Sequence, residues 1–319
     1  MSTSEARIRL GVSSCLLGVE VRYDGGHQRS RILADELGSY VEWVPVCPEV
    51  EAGLETPRPA MRLVREGDDI RMREIRSGRD HTLTIERFAA RRVRALRGLD
   101  LSGYILKKGS PSCGMTGVTI HTRRGTPRRE GRGLYAGALQ DAYPDMPVED
   151  EWRLNDAAMR ENFIARVFAY RRLRGLFSRR WKNRDVVAFH AAHELQLMAH
   201  SPAVCRALGH RVAALMELPR AAFRDHYQRE FMAALAKAAS RGGNADVLQH
   251  AAGYLREHLA PASRAELTDL IRAYRRGHVP LAVPVTVIRH LVRHHEIGYL
   301  DGQVFLDPHP NELLLRNPA

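Results

Sequence analysis

The strongest constraint in this sequence is a change of hydrophobic period near residue 150. Before it, short apolar runs of strand length alternate with helical stretches. Ile8–Ser13 reads as a buried strand that ends in a Ser-Cys turn, and Val41–Val46 as a second that runs into Cys47-Pro48-Glu49. A third strand spans 103–107 and leads into Gly109-Ser-Pro-Ser-Cys113-Gly114. Segments 61–64 and 70–72 flank Glu66-Gly67-Asp68-Asp69 as a hairpin. Helical patterns cover 31–37, with Gly38 as a stop, and 84–96; residues 121–133 read as a basic loop followed by a further helix. Strands alternating with helices call for an α/β, Rossmann-like domain with a mostly parallel sheet. From Trp152 onward the period is helical, Ala and Leu dominate and β-branched runs are few, so an all-α helical domain follows. The junction falls near Tyr143-Pro-Asp-Met-Pro147, giving domains 1–148 and 149–319.

Length and composition agree with two domains. The chain has 319 residues, 44% hydrophobic and 27% charged, the balance of an ordinary globular protein. The start, MSTSEARIRLGVSSC, has no apolar h-region, and charges interrupt every apolar run. A cytoplasmic protein with no membrane association and no obligate protein partner is expected. The two halves differ in charge: residues 1–150 hold 24 Lys+Arg against 21 Asp+Glu, and residues 151–319 hold 25 against 16. A basic domain attracts polyanions, although an Arg-rich solubilising surface has the same composition.

Cys15, Cys47 and Cys113 share a position rather than a local spacing. Each lies just beyond an expected strand, in a turn rich in Gly, Pro or Ser. The carboxyl ends of strands in an open parallel sheet line one crevice, where ligands bind. Three thiols delivered there can converge on a metal centre, act as redox or nucleophilic thiols, or serve as small buried apolar groups. A zinc site needs a fourth ligand, for which His27 is nearest. A cubane iron–sulfur cluster can instead be held by three cysteines with one iron left open.

Three segments resemble the TudS-type thiouracil desulfidases: GVSSCLLGVEVRYDGG, PVCPEVEAGLETPRP and LKKGSPSCGMTGV. The second half resembles the YbgA-like domain through LMAHSP (197–202), Pro280-Leu-Ala-Val-Pro284 and the stretch with Pro308, Pro310 and LLLRN. The combination resembles the two-domain enzymes that remove sulfur from 4-thiouridine in transfer RNA. The resemblance implies a [4Fe-4S] cluster held by Cys15, Cys47 and Cys113 with one open iron, and catalytic roles for Glu49 and Ser110. Where that family usually has paired glycines, this chain has Ala52-Gly53-Leu54, which bears on the pocket wall rather than the ligands.

The implied chemistry exchanges C=S for C=O and releases sulfide without net redox change. The open iron would bind the soft sulfur. Glu49 would activate water, its basicity raised by the negative cluster, and Ser110 would orient the water or the base. Arg58, Lys107 and Lys108 are candidate substrate contacts; the two lysines either offset cluster charge or hold a phosphate, or else form a solvated strand end. In the helical half, residues 171–184 carry Arg171, Arg172, Arg174, Arg179, Arg180, Lys182 and Arg184 with no acid, and Phe177 and Trp181 interleaved. That suits RNA phosphates with aromatic stacking, or an amphipathic helix with core aromatics. Arg272, Arg275, Arg276, Arg289 and Arg293 form a possible second patch. His190, His193 and His200 share a helical face, while Cys205 is expected in the core. The expected partner is 4-thiouridine-containing tRNA. Free thiouracil is the rival substrate, and a non-catalytic iron–sulfur or zinc sensor that binds nucleic acid is the rival class.

Overall fold

The computed structural model describes residues 8–122, 125–178 and 180–309. The chain divides into two units, one through Asp156 and one from Ala157. The first contains strands β1 (Ile8–Ser13), β2 (Val41–Val46), β3 (Met61–Glu66), β4 (Asp69–Glu74), β5 (Gly103–Leu106), β6 (Val118–Thr122), β7 (Arg128–Gly131) and β8 (Val148–Asp150). Its helices are α1 (Pro48–Glu51), α2 (Thr82–Leu96) and α3 (Leu134–Ala142).

Four strands form a wholly parallel sheet in the order β2-β1-β5-β8. Ser13 pairs with Val46, and Val12 with Ile105, so β2, β1 and β5 end side by side. These strands are apolar because the sheet is covered: Leu10, Val12, Val46, Tyr104, Ile105 and Leu106 are fully buried. Helix α2 offers Ile85, Phe88, Ala89, Val93 and Leu96 on one face, the spacing of an amphipathic helix. The Phe88 and Tyr135 rings lie 6.2 Å apart, and the hydroxyls of Tyr104 and Tyr135 meet at 3.1 Å.

The expected hairpin is present as antiparallel β3 and β4, but it belongs to a second sheet, β4-β3-β6-β7. Part of the expected 121–133 loop becomes β7, which pairs antiparallel with β6. Segment 31–37 folds as a wide π-helical turn, Ile32–Leu37. The first unit also extends past the expected 148/149 boundary, because β8 pairs with β5.

The second unit is helical: α4 (Ala157–Phe177), α5 (Asn183–His200), α6 (Pro202–Ala213), α7 (Arg220–Ala236), α8 (Arg241–Leu255), α9 (Pro261–Arg276), α10 (Ala282–His294) and the short α11 (Gly298–Asp301). Ser201 caps α6 by accepting from the Val204 N–H at 3.3 Å, and Pro202 occupies its first turn. One core packs Leu195, Leu248, Ile271, Ile288 and Phe305. Beside it, Phe223, Tyr227 and Phe231 repeat every four residues along α7 and stack in sequence. Among the described residues no helix is long and apolar enough to cross a membrane.

Candidate functional site

The three expected cysteines leave three neighbouring strands at the same edge. Cys15 sits in the 3-10 turn after β1, Cys47 is the N-cap of α1 after β2, and Cys113 lies in the loop after β5. All three line one cavity of about 410 Å³. Burial pushes the Cys15 thiol up to about 11, with the Cys47 sulfur adding repulsion. Burial also raises Cys113, which feels both other sulfurs. The thiols are therefore mutual neighbours in a place where thiolates need a cationic partner.

The Cys113 loop rests on the N-terminal end of α3. The N–H of Leu134 donates to Pro111 O at 3.1 Å, and those of Tyr135 and Ala136 to Ser112 O at 3.0 and 3.1 Å. Gly133 makes this approach possible: a Cβ there would fall 2.4 Å from Ser112 O. The β1 and β5 ends are tied by the Lys107 N–H, which donates to Ser13 Oγ at 3.0 Å.

Glu49, carried on the single turn of α1, is buried on the cavity wall. Its Oε1 accepts from Ser112 Oγ at 2.6 Å, and its Oε2 from Arg58 Nε at 2.8 Å and Nη2 at 2.5 Å. The hydroxyl beside Glu49 is therefore that of Ser112, which the sequence reading missed; the only signal for it was its place in Ser110-Pro-Ser112-Cys113. Ser110 Oγ instead accepts from the N–H groups of Ser112 and Cys113 at 3.2 and 3.1 Å, fixing the turn. It reaches Glu49 only through Ser112 Oγ, 3.0 Å away.

The three expected substrate cations have protein partners. Arg58 uses all five N–H donors: besides Glu49, Nη2 donates to Val21 O at 3.0 Å and Nη1 to Glu55 O and Thr56 Oγ1, both at 3.2 Å. It positions Glu49 and has no donor left for a substrate. Lys107 pairs with Glu151, and Lys108 Nζ lies 3.4 Å from the centre of the Trp152 ring. His27 is exposed and absent from the cavity wall, and its Nδ1 accepts from the Arg29 N–H at 3.3 Å. His27 thus does not stand with the three cysteines on the cavity wall as a fourth ligand.

The basic segment 171–184 is split in the structure. Arg180, Lys182 and Arg184 are exposed. Arg172 donates to His193 Nε2 at 3.2 Å and to Pro308 O at 3.1 Å, and Arg174 lies over the Tyr170 ring; Arg171 is half-buried. Arg179 and the Pro310/LLLRN stretch lie outside the described residues. Trp181 is buried, and Phe177 packs edge-on to Trp181 and Tyr227, so these rings are core rather than a stacking platform. In the second patch, Arg272, Arg275 and Arg289 pair with Asp269, Asp246 and Asp307. The three histidines of α5 do not converge: His190 Nδ1 meets Tyr227 Oη, His193 Nδ1 meets Phe189 O and His200 Nδ1 meets Lys237 O. Cys205 is buried, as expected.

Two family models match the chain: 2-thiouracil desulfurase over residues 10–151, and DUF1722, a protein of unknown function, over residues 194–310. YbbK of Bacillus subtilis (strain 168) is 36% identical over 153 residues, covering 46% of this chain and 97% of that protein. YbgA of Escherichia coli (strain K12) is 28% identical over 158 residues, covering 49% of this chain and 94% of that protein. Among solved structures, the [4Fe-4S]-dependent thiouracil desulfidase TudS is similar at 33% identity and a TM-score of 0.39, over 47% of this chain and 94% of its own.

Proposed function

From the premise that this chain belongs to the 2-thiouracil desulfurase family through residues 10–151, with a DUF1722 domain behind it, we propose that it is an iron–sulfur-dependent desulfidase. Its substrate in this reading is 4-thiouridine in tRNA, and the reaction is hydrolytic: C=S and water give C=O and hydrogen sulfide. One observation carries the reading. Three thiols leaving adjacent strands line the same cavity as a buried carboxylate held by an arginine and a serine.

The donor set fits a [4Fe-4S] cluster. Three soft sulfurs line one cavity, and thiolate sulfur is the ligand that iron–sulfur clusters take. Cys15, Cys47 and Cys113 would hold it. When bound, it supplies a soft Lewis acid, at the iron without a cysteine, suited to a thiocarbonyl sulfur.

The chain's own residues supply the proton chemistry. Glu49 takes a proton from water at the remaining lone pair of Oε1, since Oε2 already accepts twice from Arg58, as the water oxygen attacks the ring carbon. Ser112 Oγ and the Arg58 guanidinium hold the carboxylate in one orientation throughout. The cavity, about 410 Å³, is of the size that takes a small planar ligand such as a pyrimidine. RNA capture rests on charge, through Arg180, Lys182 and Arg184 and the basic balance of the second half.

The test is anaerobic reconstitution with iron and sulfide, followed by sulfide release from thiolated tRNA and from free 4-thiouracil. Release from tRNA is expected, with Glu49→Gln keeping the cluster absorbance and losing turnover. A loaded protein that releases sulfide from neither compound overturns the desulfidase reading. Release from the free base alone overturns the tRNA substrate.

A further inference from the structure

The cavity at the sheet edge has two chemically different parts. Cys15, Cys113 and Glu49 are buried, whereas Tyr23 and Ile75, which line the same cavity, are 45% and 51% exposed. The first group marks the floor and the second the mouth. Single exposed apolar side chains are ordinary, but these two are anchored to one short segment. Tyr23 O accepts from the Arg58 N–H at 2.9 Å, and the Ile75 N–H donates to Ala60 O at 2.8 Å. The mouth is therefore tied to the same stretch of chain that positions Glu49 through Arg58.

Tyr23 stands in a closed turn. The Arg22 N–H donates to Gly26 O at 3.2 Å and the Gly25 N–H to Arg22 O at 3.0 Å. Asp24 Oδ1 accepts from the Gly26 N–H at 3.1 Å, a side-chain brace typical of Asp in turns. Gly25 supplies the positive φ of 80°. The Arg22 guanidinium lies 5.4 Å from the centre of the Tyr23 ring and is itself held by Asp24 and Gln28. An aromatic ring is thus fixed at a cavity mouth and left half exposed there.

A ligand that suits both parts carries a sulfur for the floor and a flat ring for the mouth. A thiocarbonyl turned toward the cysteines leaves its pyrimidine ring beside the apolar rim. Stacking on a tyrosine ring holds such a ring by its face, whatever its edge carries. Resting on the desulfidase reading above, we propose that Tyr23 is a substrate-binding residue that stacks on the pyrimidine ring, with Ile75 as its apolar neighbour. Tyr23 then recognises the ring rather than the sulfur, and it serves binding while Glu49 serves the chemical step.

The experiment compares wild type with Tyr23→Ala, Tyr23→Phe and Ile75→Ala after cluster reconstitution. Sulfide release from 4-thiouracil gives KM and kcat, and calorimetric titration with uracil gives an affinity that needs no turnover. Tyr23→Ala should raise KM about fivefold to a hundredfold, the range for loss of one stacked base, and weaken uracil by a similar factor. Its kcat should stay within about threefold and its cluster absorbance should match wild type. Tyr23→Phe keeps the ring face and should match wild type, while Ile75→Ala should raise KM by less than Tyr23→Ala. Tyr40→Ala is the control: that ring is also exposed but precedes β2, at the end away from Cys47, and its variant should be unchanged. A KM that Tyr23→Ala leaves within about twofold overturns the stacking role, as does a Tyr23→Phe loss as large as that of Tyr23→Ala. Either result, with wild-type turnover present, leaves the desulfidase reading standing. If wild type releases no sulfide, that reading falls and the uracil titration decides alone: weakening in Tyr23→Ala sustains the stacking role, and absence of binding at millimolar uracil overturns it.

Discussion

Arg58→Met separates the role assigned to this arginine from a substrate-binding role. Its side chain is 7% exposed and that of Glu49 is 11% exposed. Removing the guanidinium leaves a buried carboxylate with Ser112 as its remaining side-chain donor and releases Val21 O, Glu55 O and Thr56 Oγ1. Loss of one partner from a buried ion pair costs about 3–5 kcal/mol. At about 2–4 °C per kcal/mol for a domain of this size, the first unit should melt roughly 6–20 °C lower. Adding Glu49→Gln removes the stranded charge, so the double variant should recover about 1–3 kcal/mol relative to additivity. Urea and thermal unfolding of wild type, both singles and the double close the cycle. A single variant within about 2 °C of wild type, or strictly additive effects, would refute the reasoning, because a substrate-contacting arginine costs the free protein little.

Three other perturbations probe neighbouring parts. Ser112→Ala should lower kcat by about ten- to a hundredfold with cluster absorbance intact, while Ser110→Ala, which frees the Ser112 and Cys113 N–H groups, should lower cluster loading; stopped assays and iron analysis distinguish them. Gly133→Ala should push the Cys113 loop off the end of α3 and reduce the iron retained per chain, an effect measured by metal analysis after gel filtration. His193, stacked on Phe189 with Nδ1 at Phe189 O and Nε2 facing Arg172, is held by burial at about 3, below its ordinary 6.5. Because the unfolded chain binds the extra proton first, this contribution is whole above about pH 6.5 and declines toward pH 3, by roughly 2 kcal/mol at pH 5. Urea titrations at pH 7 and pH 5 should show that loss in wild type and not in His193→Gln.

Elements with their own hydrophobic signal were legible, and those created by a partner were not. Strands β1 and β2 match the segments expected from sequence, Ile8–Ser13 and Val41–Val46, because a covered parallel strand needs an apolar run. Strand β7, by contrast, is Arg-Arg-Glu-Gly with three exposed residues, and only the edge of β6 makes it a strand. The cysteines were legible because each lies in the turn or loop that follows a strand, so the parallel topology brings them to one edge. Which of Ser110 and Ser112 faces Glu49 was not, since the two lie in one turn and the choice depends on how that turn sits on α3. Phe177 and Trp181 looked available beside seven basic residues. The aromatic ladder Phe223, Tyr227 and Phe231 on another helix claims them.

Under the proposed tRNA substrate, the charge pairing at the sheet edge constrains how RNA would be selected. Four cations line that cavity, and each has a protein partner: Arg22 with Asp24, Arg58 with Glu49, Lys107 with Glu151, and Lys108 with the Trp152 ring. A phosphate entering the cavity would have to displace one of them. The walls are thus suited to the base, and affinity for a polyanion must come from residues elsewhere on the chain. It follows that thiolated tRNA and free 4-thiouracil should be turned over with kcat values within about tenfold, or about 1.4 kcal/mol, of each other. Their KM values should diverge: that for tRNA should rise steeply with salt, and that for the free base should stay level. Steady-state kinetics at low and moderate salt measure both. If tRNA is instead favoured through kcat, with a KM that salt does not move, phosphate contacts are being made at the reacting centre and one of these four pairs must open on binding.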